Sequence, residues 1–451
     1  MQIQPPRINE QFTLTIHGLG SSGEGVGYYH GYTVFVDGAL PGEIIEVRLF
    51  QRQKRYGRAN LVSITTKSPD RVAPPCALFG KCGGCQLMHL SYTKQLDIKR
   101  QRVVDAMQRI GKFSDIPVAP CLPSPSSLHY RNKIQLPVRE GHEGIKIGLY
   151  ARSSHDLVEV DNCHIHCPLG EQVYKKVKSI ISQSGITAYD ISTSNGELRN
   201  ILIKSAVNTE EVLVILVTNG KCTSTLTEIA KNIMSCCPSV KGVVHNINTE
   251  QDNIILGKHF HVLAGSGAIH ERLCGMIFKV SPASFFQVNP EQAECLYAKA
   301  LELAELTGSE TILDAYCGVG TLSLLFAKKA RKVIGVECVP EAIEDAVENA
   351  SINKFENISF VCADSEKYIN TLKDVDVIVL NPPRKGCEQG FLEGIGRLLP
   401  KKVIYISCDP ATLARDLALL STFGYVIEVI QPYDMFPQTS HVECVVKLRS
   451  E

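Results

Sequence analysis

A cysteine and a glutamate near the C-terminus are the first residues that could do chemistry. Cys408 stands in Ser407-Cys408-Asp409-Pro410, after the apolar run Val403-Ile404-Tyr405-Ile406 and just before Ala411-Thr412-Leu413-Ala414-Arg415-Asp416, which reads as a helix. A thiol at the end of a strand, beside a helix N-terminus, is expected to have its thiolate favoured. That makes it a candidate nucleophile, where free cysteines are more often buried bystanders. Glu443 interrupts an otherwise apolar strand, Val442 to Leu448. A carboxylate there is either a solvent-facing edge residue or a general base. A second constellation is Cys76-x5-Cys82-Gly83-Gly84-Cys85, three soft ligands within ten residues. Its glycines allow backbone amides to turn toward sulfur. Zinc and iron–sulfur centres both want four ligands, and the spacing does not choose between them. Cys163 and Cys167 are the candidates for the fourth.

These side chains need a scaffold, and the chain supplies one from about residue 290. Asn289-Pro290-Glu291 is an N-cap, a proline at the first helical position and an acid in the first turn. Strand-like runs follow at 311–315, 333–337, 358–362, 375–380, 402–407, 425–430 and 442–448, separated by helical segments. That alternation predicts a doubly wound, mostly parallel sheet. After its first strand comes Asp314-Ala315-Tyr316-Cys317-Gly318-Val319-Gly320-Thr321, whose glycines let a ligand approach the backbone. Ser323 stands where a dinucleotide fingerprint needs a third glycine. The second strand ends at Glu337, placed to accept both hydroxyls of a ribose, and the third at Asp364, placed to meet an adenine edge. This loop with its two later acids resembles the S-adenosylmethionine site of Rossmann-like methyltransferases.

The front of the chain has another character. Residues 11–66 hold about five short alternating strands with turn punctuation, the pattern of a small OB-type barrel. On it lies Arg52-Gln53-Lys54-Arg55-Tyr56-Gly57-Arg58, four cations around one aromatic, suited to gripping single-stranded nucleic acid. A solvated hairpin tip is the bland alternative. Residues 91–111 read as one helix, and 129–265 as a central α/β region with strands such as Leu198 to Lys204 and helices such as Gln172 to Gln183. Formal net charge is zero, yet residues 1–110 carry 14 Lys/Arg against 8 Asp/Glu, so the front is expected to meet a polyanion. The longest aliphatic run, Val212 to Val217, is far short of the ~18 residues a membrane span needs. Met1-Gln2-Ile3-Gln4-Pro5-Pro6 has no secretory pattern, and 17 cysteines are an odd number, unlike a disulfide framework. A soluble, cytoplasmic protein with reduced thiols is expected.

Taken together, several motifs resemble the RNA uridine-C5 methyltransferases. They are Gly38-Ala39-Leu40-Pro41-Gly42-Glu43, the Cys76–Cys85 cluster, Phe285-Phe286-Gln287-Val288-Asn289, Ser407 to Asp416, and Phe436-Pro437-x3-His441-Val442-Glu443. The likeness spans nearly the whole chain. It implies an N-terminal OB-like TRAM β-barrel at 1–66 and a central α/β domain with an iron–sulfur site at 67–270. A Rossmann-like methyltransferase domain follows at 271–451, with helix 91–111 packing on it. It further implies a [4Fe-4S] cluster on Cys76, Cys82, Cys85 and Cys163, and S-adenosylmethionine on Gln287, Tyr316, Thr321, Glu337, Asp364 and Asn381. Cys408 becomes the nucleophile and Glu443 the base. The chain departs from the family pattern at Asn381, usually Asp, at Asp409, usually Asn, and at Tyr316, usually Phe. The implied partner is RNA, 23S rRNA before tRNA, with no role for DNA or a membrane, and the chain is expected to be monomeric. Two other readings compete with this one. An amino-group methyltransferase is suggested by Asn381-Pro382-Pro383, but Arg384 stands where its aromatic belongs. A non-enzymatic iron–sulfur RNA-binding protein would leave Cys408 and Glu443 without a role.

Overall fold

The computed structural model describes residues 4–141, 144–251 and 254–451; Met1–Ile3 of the N-terminal stretch read above lie outside them. Residues 11–66 close on themselves. Strands β1 (Gln11–Leu19), β2 (Gly25–Tyr29), β3 (Tyr32–Val36), β4 (Ile44–Arg52) and β5 (Tyr56–Thr66) form a closed barrel in the order β1-β2-β3-β5-β4. Alternation does the work: Phe12, Leu14 and Ile16 of β1 turn inward against Val34, Val36, Ile45 and Val47, while the residues between them face water. The basic cluster falls on the β4–β5 hairpin. Its tip is tied down by Tyr32, whose hydroxyl donates to the carbonyls of Gln53 (2.7 Å) and Tyr56.

A loop carrying the cysteines leads into α1 (Tyr92–Arg109). The central layer is a seven-stranded mixed sheet of β6 (Lys133–Gly141), β7 (Gly144–Tyr150), β8 (Leu157–Glu159), β9 (Leu198–Ala206), β10 (Glu211–Thr218), β11 (Val240–Ile247) and β12 (His259–Gly265), in the order β12-β11-β10-β9-β6-β7-β8. Helices α2 (Pro168–Gln183) and α3 (Ser224–Cys236) cover one face. The hairpin of β13 (Ile269–Leu273) and β14 (Met276–Val280) packs on the other. Burial on both faces explains why β10 reads as an unbroken apolar run, Val212 to Val217.

The C-terminal layer opens with α4 (Pro290–Ala304), capped by the Asn289 side chain as its sequence foretold. Then come β15 (Thr311–Asp314), α5 (Thr321–Ala327), β16 (Lys332–Glu337), α6 (Pro340–Ile352), β17 (Ile358–Cys362), α7 (Ser365–Tyr368), β18 (Val377–Leu380), α8 (Gln389–Leu398), β19 (Lys402–Ser407), α9 (Pro410–Thr422), β20 (Tyr425–Tyr433) and β21 (Glu443–Ser450). The sheet order is β17-β16-β15-β18-β19-β21-β20, parallel except for β21, which runs antiparallel to both neighbours. The order reverses at β15, so a crevice opens at the carboxyl ends of β15 and β18. Although α1 precedes the central sheet in the chain, its Val103 and Met107 lie in the same core as Leu417, Leu420 and Ile430. No helix among the described residues is long and apolar enough to cross a membrane.

Candidate active site

Antiparallel insertion of β21 beside β19 brings the two reactive side chains together. Ser407 pairs with Cys444, so the next residues outward, Cys408 and Glu443, meet across the seam at the carboxyl end of β19. Glu443 is 3% exposed, and its Oε2 has no hydrogen-bond partner. Burial alone raises its carboxyl from 4.5 to about 7. The reading as a solvent-facing edge acid is therefore excluded.

Cys408 corrects one expectation. Its thiol is pushed up, first by burial and then by the charge of Glu443, with Arg384 pulling the other way. The helix N-terminus does not rescue it, because Asp409 caps α9: its Oδ1 accepts from the amides of Ala411 (2.8 Å) and Thr412 (3.2 Å). Beside the pair, burial and the cations Arg384, Arg102 and Lys99 hold the His441 imidazole down near 4, so it is neutral.

The glycine loop lies at the switch point. Gly318 and Gly320 adopt φ of 53° and 84°. A Cβ on Gly318 would meet nothing within 4 Å, so that backbone faces open space, whereas one on Gly320 would press Phe360 at 3.0 Å. Asp314 is buried, takes a 2.6 Å hydrogen bond from Ser323 on Oδ2, and leaves Oδ1 unpartnered. Its carboxyl is raised to about 6, chiefly by burial. Glu337 folds back on the loop. Oε2 accepts from the Gly318 amide (3.3 Å) and Oε1 from those of Cys338 (2.8 Å) and Val339 (3.1 Å). Exposed Asp364 caps α7 through the Glu366 amide at 2.9 Å. Half-buried Tyr316 sets its ring edge-on to Phe391 at 5.6 Å. Thr321 begins α5, half-buried Asn381 follows β18, and Gln287 is buried, with its carbonyl taken by Asn132 (3.2 Å). Tyr297 reaches both Gln287 and Thr321. Tyr316, Glu337, Asp364 and Asn381 thus stand at the carboxyl ends of β15, β16, β17 and β18, around the switch point of the sheet.

The four cysteines expected to share a site line one cavity, together with Leu78, Phe79, Met88, Leu149 and Val160; Cys167 is not among the lining residues. Cys167 is buried elsewhere, at the start of α2 against Ser205. Burial and mutual repulsion raise the thiols of Cys82 and Cys85. Gly84 turns its amide onto Cys82 Sγ at 3.4 Å. Among the described residues, no three His, Cys, Asp or Glu side chains stand close enough to hold a metal ion. The cysteines ring the cavity without converging on a single ion-sized point.

Sequence reasoning missed the residues that hold the loop before Glu443. On the buried stripe of α1 lie Gln95 and Lys99 beside Val103 and Met107. Lys99 forms a fully buried ion pair with Asp434, and Arg102 donates to the Ser440 carbonyl at 2.6 Å. Two polar residues in an otherwise apolar helical stripe were the available signal.

Against known proteins, residues 91–451 match the model for tRNA (uracil-5-)-methyltransferase and residues 7–62 match the TRAM domain. An uncharacterized RNA methyltransferase of Clostridium tetani is 42% identical over 446 residues, covering 98% of this chain and 97% of its own. One from Halalkalibacterium halodurans is 42% identical, with 99% and 98% covered. Among solved structures, the Pyrococcus abyssi tRNA (uracil-54, C5)-methyltransferase in complex with S-adenosyl-L-homocysteine superposes with a TM-score of 0.78 at 30% identity, covering 97% of this chain and 99% of that one. A seamwise cysteine–glutamate pair on a doubly wound sheet, behind a five-stranded barrel, thus coincides with a match over most of the chain: it belongs to the tRNA (uracil-5-)-methyltransferase family of RNA methyltransferases.

Proposed function

We propose that the protein methylates C5 of one uridine in RNA, with Cys408 as nucleophile and Glu443 as base. The observation that carries this is the juxtaposition of Cys408 with a fully buried carboxylate whose pKa lies near 7. Uracil C5 is too weak a nucleophile to take a methyl group unaided. The Cys408 thiolate adds to C6, turning C4–C5 into an enolate whose carbon can be methylated. Gln287, Tyr316, Thr321, Glu337, Asp364 and Asn381 would hold S-adenosylmethionine, which when bound would supply the electrophilic methyl group and leave as S-adenosylhomocysteine. Glu443 then takes the C5 proton, the C5–C6 double bond reforms, and the C6–S bond breaks. A base titrating near neutrality is well matched to that proton transfer. Arg384 favours the thiolate form of Cys408. Tyr316 keeps the flat face that the family's usual Phe would present. The uridine must be single-stranded or flipped out to reach the seam.

Cys76, Cys82, Cys85 and Cys163 hold a [4Fe-4S] cluster in this reading, and the reaction transfers no electron through it. The chain divides into a barrel at 1–66, a central domain at 67–270 and a catalytic domain at 271–451, and it acts as a cytoplasmic monomer. The Arg52–Arg58 hairpin holds flanking RNA. The substrate we favour is 23S rRNA, since the sequence resembles family members that carry both barrel and cysteine cluster. A tRNA substrate is the second reading, favoured by the full-length likeness to the Pyrococcus abyssi tRNA enzyme. The test is to incubate the protein with S-adenosylmethionine and total RNA from a strain lacking the gene, then map 5-methyluridine. Its return in 23S rRNA supports the first reading and in tRNA the second; its return in neither refutes both.

A further inference from the structure

The cysteine cavity and the base are joined by a short physical path. Directly after Cys85, the amides of Gln86 and Leu87 both donate to the Gln438 carbonyl, at 3.0 and 2.9 Å. Tyr130, 5% exposed, packs with Met88 and Ile165 against Cys76, Cys85 and Cys163, and its hydroxyl donates to the Pro437 carbonyl at 3.0 Å. From the other side, Gln95 exchanges hydrogen bonds with Gln438: its Nε2 donates to Oε1 (3.0 Å), and its Oε1 accepts from the Gln438 amide (3.2 Å). Gln438 itself is buried and sits at φ 69°, a left-handed conformation that a glutamine adopts only when its surroundings impose it. Five residues later the chain reaches Glu443.

We propose that the state of the four-cysteine site sets the position of the base. The bridged cysteines keep Gln86 and Leu87 in place, these hold Gln438 in its strained conformation, and Gln438 holds the loop that ends in Glu443. Gln438, Tyr130 and Gln95 are positioning residues in this scheme. When the site is emptied, Gln438 relaxes, the loop before Glu443 loosens, and proton removal slows while the glycine loop after β15 keeps its place. Methylation would then depend on iron supply without any redox step in the reaction. This rests on the reading of the cysteines as iron–sulfur ligands.

The test uses the full chain purified without oxygen, and the same protein stripped with a chelator under reducing conditions. Amide hydrogen exchange of residues 434–442 is followed by mass spectrometry, with S-adenosylhomocysteine affinity measured beside it. Stripping should speed exchange there by about tenfold or more, the signature of local opening, and leave the affinity within about twofold, far from a coupled effect. It should also make the covalent protein–RNA adduct accumulate on ordinary uridine. Tyr130→Phe should keep its iron yet exchange about fivefold faster over 434–442, the weight of one hydrogen bond. Its activity should reach half-maximum at a lower pH, as water reaches Glu443. Iron-loaded and stripped proteins with the same exchange over 434–442, or a parallel loss of cofactor affinity, would overturn the coupling. Wild-type protein without iron would instead sink the cluster reading on which it stands.

Discussion

Replacing Glu443 by glutamine removes a buried charge whose cost can be worked out. Burial lifts the carboxyl from 4.5 to about 7. At 1.36 kcal/mol per unit, ionising it inside the fold costs about 3 kcal/mol relative to the unfolded chain. The sign follows from which state binds the proton. Below pH 4.5 both states hold it and there is no penalty. Between 4.5 and 7 only the unfolded chain gives it up, so wild-type stability falls as pH rises; above 7 the loss is constant. Glutamine carries no charge at any pH. The stability of Glu443→Gln relative to wild type should therefore grow by about 3 kcal/mol from pH 4.5 to 8, which for a catalytic unit of this size widens the Tm difference by roughly 6–12 °C. Thermal unfolding of both proteins across that range, without RNA, is the assay. A constant difference would refute the assignment of a neutral-range carboxyl to Glu443. The same variant should still add to uridine and methylate it, then stall as a covalent adduct with the C5 proton in place.

Other perturbations separate the remaining parts. Cys163→Ser should cost the protein its brown colour and its iron, about four per chain, while Cys167→Ser keeps both; equal loss from the two, or stoichiometric zinc, contradicts the ligand set. Lys99→Met leaves Asp434 buried and unpaired and should destabilise the protein by about 3–5 kcal/mol, measured by urea unfolding. Replacing Arg52, Lys54 and Arg55 together by alanine should weaken RNA binding uniformly and flatten the plot of log affinity against log salt by about 2. An unchanged slope would mean that the hairpin tip is merely solvated.

Much of this architecture is legible in the sequence because its signals are local. Parallel interior strands such as β15, β16 and β18 are buried on both faces and appear as short apolar runs, and the barrel strands alternate because only one face is buried. Three cysteines within ten residues announce themselves. What stays hidden depends on distance or competition. Lys99 and Asp434 lie 335 residues apart, so nothing near either foretells the pair. The thiolate-favouring helix end expected at Cys408 fails because Asp409 takes the same amides. The insertion of β21 between β19 and β20, which makes the cysteine and glutamate neighbours, is a property of sheet order rather than of any segment.

The mechanism stands on a covalent bond between Cys408 and the pyrimidine ring. RNA carrying 5-fluorouridine tests it directly, because fluorine at C5 cannot leave as a proton and the sulfur cannot be released. Wild-type protein with S-adenosylmethionine should form a stable covalent complex, and mass spectrometry after digestion should locate one methylated fluorouridine on the peptide containing Cys408. Cys408→Ala should give no complex and no methylation. A Cys408→Ala protein that methylates uridine at near wild-type rate, or an adduct on another residue, would contradict the mechanism.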